Sequence, residues 1–180
     1  MMPTLPTKLN LGCGRDHRPD CLNVDRNEEI GPDLVLDLDR HPYPLPRQHF
    51  THVYALDVVE HLVDIRAFME EVHELLVPGG TVEITTPHYS CANTFTDPTH
   101  RHHLGCFSFD YFTTGHAWNY YSRARFELIE RLLVFHNSPL DRMVAHAANR
   151  HLELYERRFA WIYPAWFMIF KLRAAPPAAG

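Results

Sequence analysis

Two short runs, Leu9-Asn10-Leu11 and Leu22-Asn23-Val24, flank a glycine turn, Gly12-Cys13-Gly14, and the second run closes on Asp25. Runs of this kind, bounded by turn residues, read as buried strands. A strand, a glycine turn and a carboxylate at the end of the next strand form the layout of a nucleotide-type cofactor site in an open α/β sheet. Glycine lets the backbone bend sharply and come close to a ligand. A dinucleotide site sets its acid about 20 residues beyond the turn, after a full crossover helix. Here eleven positions separate Gly14 from Asp25, so the polar residues 15–20 can supply little more than a turn. The spacing points to a compact α/β sheet and counts against a nicotinamide cofactor.

The chain then continues to alternate strand and connection. Residues 33–39 read as a third strand ending in carboxylates, 40–48 as a proline-rich loop, and 50–56 as a fourth strand closing on Asp57. Ile65, Phe68, Met69, Val72, Leu75 and Leu76 make one apolar stripe at helical spacing. Asp64 is placed to cap that helix and Pro78-Gly79-Gly80 to stop it. Residues 81–86 alternate with β-branched side chains and predict a fifth strand. From 87 to 123 the pattern dissolves into histidine, aromatic and turn residues, and connections this long are usually functional. A sixth strand over 126–135, a helix over 139–158 and an aromatic last strand over 163–173 follow. The whole reads as one domain, 1–180, with a cofactor half (8–86), a substrate insertion (87–123) and a C-terminal part (124–173).

Composition removes several classes of function. A net charge of −5 argues against a nonspecific grip on nucleic acid. No apolar leader and no run of about 18 apolar residues is present, so neither secretion nor a membrane span is expected. Four cysteines without a C-x-x-C pair read as free thiols in a reducing compartment, and a cytoplasmic location is expected.

Two further motifs carry a resemblance. Asp57-Val58-Val59-Glu60-His61-Leu62 follows the fourth strand, and Leu75-Leu76-Val77-Pro78-Gly79-Gly80 precedes the fifth. With them, the stretch from Leu9 to about Phe112 resembles class I S-adenosylmethionine-dependent methyltransferases, in their small-molecule, methyltransferase-11-like branch. The resemblance implies a Rossmann-like α/β fold: a seven-stranded, mostly parallel sheet with one antiparallel strand and helices on both faces. It implies S-adenosyl-L-methionine as cofactor. Gly12, Cys13 and Gly14 would cradle its methionine part, and Asp25 would accept from both ribose hydroxyls. Asp37, or Asp39 in its place, would meet the adenine together with the Leu38 backbone. Leu56 and Asp57 would lie along the sulfonium, with Val58 nearby. Asn10 departs from the pattern, since many members carry an acid there, and the short first crossover removes a helix that usually walls the site.

The substrate side resembles a subgroup with Pro87-His88-Tyr89-Ser90, Asp97-Pro98-Thr99-His100-Arg101 and Ser108-Phe109-Asp110-Tyr111-Phe112. Methyl transfer needs a positioned nucleophile and, for a hydroxyl, a group to take its proton. Histidine suits that task near neutral pH. His100 is the first candidate and His88 the second, with Arg101, Tyr89 and Asn93 expected to touch the substrate. Glu60 and His61 read equally well as chemistry of a helix start. No metal ligand is assigned: adjacent histidines in residues 100–103 project differently, and no H-x-x-x-H spacing occurs. The expected function is methyl transfer to an oxygen nucleophile on a small molecule, sugar-linked acceptors included. No [DN]-P-P-[YF] motif of nucleic-acid enzymes follows the fourth strand. Two other readings compete, a non-catalytic cofactor-binding or partner subunit and an NAD-dependent oxidoreductase. The aromatic run 159–170 reads first as a core strand and second as a contact for a homodimer or protein partner.

Overall fold

A computed structural model of the protein describes residues 5–175; residues 1–4 and 176–180 of the expected domain lie outside them. Seven strands arise among the described residues: β1 (Lys8–Leu11), β2 (Leu22–Asp25), β3 (Leu34–Val35), β4 (Phe50–Leu56), β5 (Leu76–Pro87), β6 (Phe126–Val134) and β7 (Phe167–Ala174). They form one sheet in the order β3-β2-β1-β4-β5-β7-β6. Strands β1 to β5 pair in parallel. β7 runs antiparallel to both neighbours and is the one reversed strand. The strand order reverses between β1 and β4, so a crevice opens at their carboxyl ends, where such sheets bind ligands.

The first crossover is a loop, as its length dictates, and side chains hold it where a helix would otherwise pack. Asn10 donates to the Asp16 carbonyl at 2.8 Å and to Asn23 Oδ1 at 3.1 Å. Asn23 Oδ1 also accepts from the Arg18 amide, and its Nδ2 reaches Asp33 Oδ2 at 2.9 Å. Asn10 is therefore buried for a structural task. β3 is shorter than expected: Arg40 N–H closes a turn on the Asp37 carbonyl, and the Asp37 carboxylate accepts from the Asp39 amide. That local side-chain bond competes with the ladder and ends the strand early.

Helix α1 (Ile65–Leu75) follows its apolar stripe, and Asp64 Oδ1 caps it by accepting from the Ala67 amide at 2.9 Å. Phe68, Met69 and Val72 are fully buried, worth about 1.5–3 kcal/mol each. The helix ends before Pro78, which lies instead in β5. A short α2 (Asn93–Thr96) sits in the long connection. The expected helix over 139–158 is two, α3 (Pro139–Arg150) and α4 (Leu152–Arg158), because His151 leaves helical geometry at φ −135°, ψ 53°. Residues 163–166, expected in the last strand, precede it.

Cover on the two faces of the sheet is unequal. Val82, Ile84, Met168, Phe170 and Leu172 are fully buried and share one core with α1, Phe109, Phe112 and Tyr155 of α4. Alternate residues point the other way. Thr81, Glu83, Thr85, Ile169 and Lys171 are half-exposed. There Lys171 bridges Glu130 at 3.0 Å and Glu83 at 3.8 Å, and Arg173 meets Glu127 at 3.2 Å. On this second face the β1–β2 loop sets Arg18 over the Tyr54 ring at 3.9 Å, and beyond it runs the solvated ladder. The eleven-position interval leaves no chain to build a helix there.

Candidate active site

The turn after β1 is made by glycines with positive φ, 65° at Gly12 and 49° at Gly14. A Cβ on Gly12 would stand 2.4 Å from Val58 Cγ2, so only a bare backbone fits. Gly14 N–H donates to Asp25 Oδ2 at 2.9 Å, which ties the turn to the end of β2. Around this junction lies a cavity of about 310 Å³, lined by Gly12, Gly14, Asp25, Asp37, Leu38 and Val58 among others. Both Asp37 and Asp39 reach it. The Leu38 carbonyl accepts the Tyr43 hydroxyl at 2.7 Å, which leaves its amide for a ligand. Cys13 is buried, and its amide bonds to the Val24 carbonyl rather than facing the cavity. Asp25, Asp37, Asp39 and Asp57 give the wall four carboxylates against one arginine, Arg26. Such a wall favours a positively charged ligand over an anionic one.

A second cavity, about 820 Å³, opens beside it and shares Asp57 and His61 with the first. β4 ends on Asp57, held at φ 55°, where its amide bonds to the Thr85 carbonyl. Asp57 Oδ1 accepts from the Thr85 hydroxyl at 3.0 Å, and Leu56 lines the larger cavity beside it. Trp166, Phe167, Pro87 and Pro98 supply apolar walls. Facing them are Glu60, His61, Asn93, Asp97 and His100.

The run 97–103 is brought there by the backbone: Arg101 and His102 amides both donate to the Glu60 carbonyl, at 2.7 and 3.2 Å. Each side chain of the run then takes its own direction. His100 turns into the cavity, with Nε2 4.0 Å from Glu60 Oε1 and 3.8 Å from Asp97 Oδ2. Arg101, expected to touch the substrate, is exposed and lines neither cavity. His102 contacts the Leu62 carbonyl at 2.9 Å, and His103 contacts Thr94 Oγ1 at 3.2 Å.

His88, the second candidate base, stands apart from His100. It is fully buried, with Nδ1 against Ser90 Oγ at 2.8 Å and Nε2 against Glu156 Oε1 at 3.2 Å, and it lines neither cavity. Although burial pushes the Glu156 carboxyl up, bonds from His88 and Cys106 hold it below the usual range. The cluster His88, Cys106 and Glu156 is a satisfied brace between the long connection and α4. Tyr89 belongs to the same brace: its hydroxyl donates to the Glu156 carbonyl at 3.0 Å, away from the cavity.

Glu60 and His61, for which helix-start chemistry was the competing reading, line the larger cavity. Val59–His61 is a single 3-10 turn with no side-chain cap. Glu60 is buried at 1% exposure, and neither carboxylate oxygen has a hydrogen-bond partner among the described residues. The Thr86 hydroxyl stands near without completing a bond. Burial pushes the Glu60 carboxyl up to about 7. His61 Nδ1 lies 2.9 Å from Thr99 Oγ1, which donates to Asp97 Oδ1 at 2.7 Å. Burial, and then the adjacent His100 ring, hold His61 below its ordinary pKa. Their adjacency to Asp57 at a strand end was the available signal: residues just past such a strand fall in the crevice.

Known proteins place this arrangement. The profile of a methyltransferase domain family matches residues 9–156. No curated protein matches the sequence significantly. Among solved structures, an S-adenosylmethionine-dependent methyltransferase from Mesorhizobium loti is similar at TM-score 0.60 and 16% identity, over 92% of this chain and 89% of its own. The N-methyltransferase NodS from Bradyrhizobium japonicum, in complex with S-adenosyl-L-homocysteine, is similar at TM-score 0.53 and 13% identity, over 94% and 78%. The Haloferax volcanii complex of the Trm112 methyltransferase activator with a putative methyltransferase gives TM-score 0.58 and 16% identity, over 97% and 85%. Identities this low speak for the fold alone.

Proposed function

This chain belongs to the class I S-adenosylmethionine-dependent methyltransferases, and we propose that its acceptor is an oxygen nucleophile on a small molecule, sugar-linked acceptors included. The smaller cavity fits the cofactor: a bare glycine backbone at Gly12 admits close approach, and carboxylates surround a ligand whose sulfur is positive. Bound there, S-adenosylmethionine supplies a methyl group already activated by positive sulfur. Asp25 would accept the ribose hydroxyls, and Asp37 or Asp39 would meet the adenine. Asp57 marks the passage between the cavities. Family membership and this acidic lining displace the nicotinamide reading.

The observation that carries the acceptor reading is the meeting of the two cavities at Asp57 and His61, with His100 on the same wall. A hydroxyl lodged against that wall meets lone pairs able to draw its proton, while Trp166 and Phe167 shield the apolar side. His100 is the residue nominated to take the proton, and Asn93 to orient the acceptor.

Calorimetry with S-adenosylmethionine, S-adenosylhomocysteine and NAD tests the first half. Micromolar binding of the first two, lost in Asp25→Ala, with none of NAD, is expected; NAD binding alone would overturn it. Transfer of labelled methyl to a panel of hydroxyl and amine acceptors tests the second half. Labelling confined to amines would reject an oxygen acceptor. His100→Ala should lower turnover at least tenfold with S-adenosylhomocysteine affinity unchanged, and wild-type turnover would remove His100 from the chemistry.

A further inference from the structure

The wall of the larger cavity brings three side chains with metal-ligating atoms together. One donor atom from each of Glu60, His61 and His100 lies within 4.8 Å of the other two. Hydrogen bonds fix which nitrogen of each ring carries the proton. His100 Nδ1 lies 3.3 Å from the Thr94 carbonyl, which can only accept, so the proton is on Nδ1. Thr99 gives its single hydroxyl proton to Asp97 and must accept from His61 Nδ1. In each neutral ring Nε2 is then the bare nitrogen. Glu60 adds two buried oxygens without partners. A carboxylate so placed is costly unless something positive meets it. Outer hydrogen bonds that set a ring's tautomer are also the usual support of a metal-binding imidazole.

We infer that Glu60, His61 and His100 hold a divalent first-row transition cation at the acceptor end of the site. Two imidazoles and a carboxylate favour zinc or its neighbours over magnesium, which prefers oxygen ligands. Bonds of about 2.0–2.2 Å require the three donors to draw together by roughly 1 Å, within reach of side-chain rotation. Three protein ligands leave a position open toward the cavity, the arrangement of reactive rather than structural sites. The inference deepens the acceptor assignment and rests on it. A hydroxyl acceptor takes the open position, where the cation makes its proton easier to lose. The proton passes to water, the acceptor oxygen forms the new O–CH₃ bond as the S–CH₃ bond breaks, and the thioether leaves neutral. His100 is then a ligand of the cation instead of the proton's direct acceptor.

The full chain, stripped with a chelator, is titrated with Zn²⁺, Co²⁺ and Mg²⁺ by calorimetry, and the Co²⁺ complex is followed by visible absorption. One Zn²⁺ or Co²⁺ per chain is expected, with no comparable Mg²⁺ binding. Affinity should fall at least tenfold in Glu60→Gln and in His100→Ala, and stay unchanged in His146→Ala, an exposed histidine elsewhere. S-adenosylhomocysteine binding in every variant verifies that the fold survives. No stoichiometric Zn²⁺ binding, or binding indifferent to Glu60→Gln and His100→Ala, overturns the inference. Failure to bind S-adenosylhomocysteine in the wild type would instead strike the cofactor assignment, whatever the metal result.

Discussion

The most demanding single position is Gly12, where a left-handed backbone and a neighbour at 2.4 Å coincide. Gly12→Ala should cost about 1–2 kcal/mol in strain alone and weaken S-adenosylhomocysteine binding at least tenfold. Denaturant melts and calorimetry on the same preparation check both; adding Val58→Ala should recover part of the loss by removing the colliding methyl. Much of the smaller cavity's lining was legible from residue type and order, because Gly12, Gly14, Asp25 and Asp57 sit where strands end, and strand ends are fixed by local pattern. The acceptor wall was less so. His88 and His100 are both histidines in the same connection, yet one is walled into a brace with Glu156 and the other faces the cavity. That difference is set by the path of 87–125, which no periodicity announces. Glu60 was concealed for the opposite reason: an acid in a turn ordinarily stays in water.

Among the elements, α3 is the one whose start is written most fully. Ser138 Oγ accepts from the Asp141 amide at 3.0 Å, and Asp141 Oδ2 accepts from the Ser138 amide at 2.8 Å. Ser138→Ala should cost about 1 kcal/mol in denaturant midpoint terms. The Ser138 and then the Tyr163 hydroxyl hold the Asp141 carboxyl down to about 2, from an ordinary 3.8. A carboxyl depressed in the folded state stabilises above its unfolded pKa and loses that contribution as pH falls through the folded one. The stability gap between wild type and Asp141→Asn should therefore be full at pH 5 and close as pH approaches about 2; an unchanged gap across that range would disprove the linkage. Sequence pattern located β1, β4 and α1 because each has its own periodicity. It missed the break at His151, since α4 turns to set Tyr155 against Phe135 and His88, a tertiary demand without local sign.

For the molecule as a whole, unequal cover makes neighbouring residues of β7 very different in worth. Phe170 is fully buried against Phe109, ring centroids 4.8 Å apart, whereas Lys171 projects to the solvated ladder. Phe170→Ala should cost about 3–5 kcal/mol, and Lys171→Ala should stay within about 0.5 kcal/mol; comparable losses would mean the second face is covered after all. β7 has one more consequence. It is inserted between β5 and β6, paired with residues 81–87 on one side and 126–134 on the other. The strand that joins these two edges is thus synthesised after both of them. A chain cut before Phe167 would leave β5 and β6 each with an unpaired ladder, open to pairing with another chain.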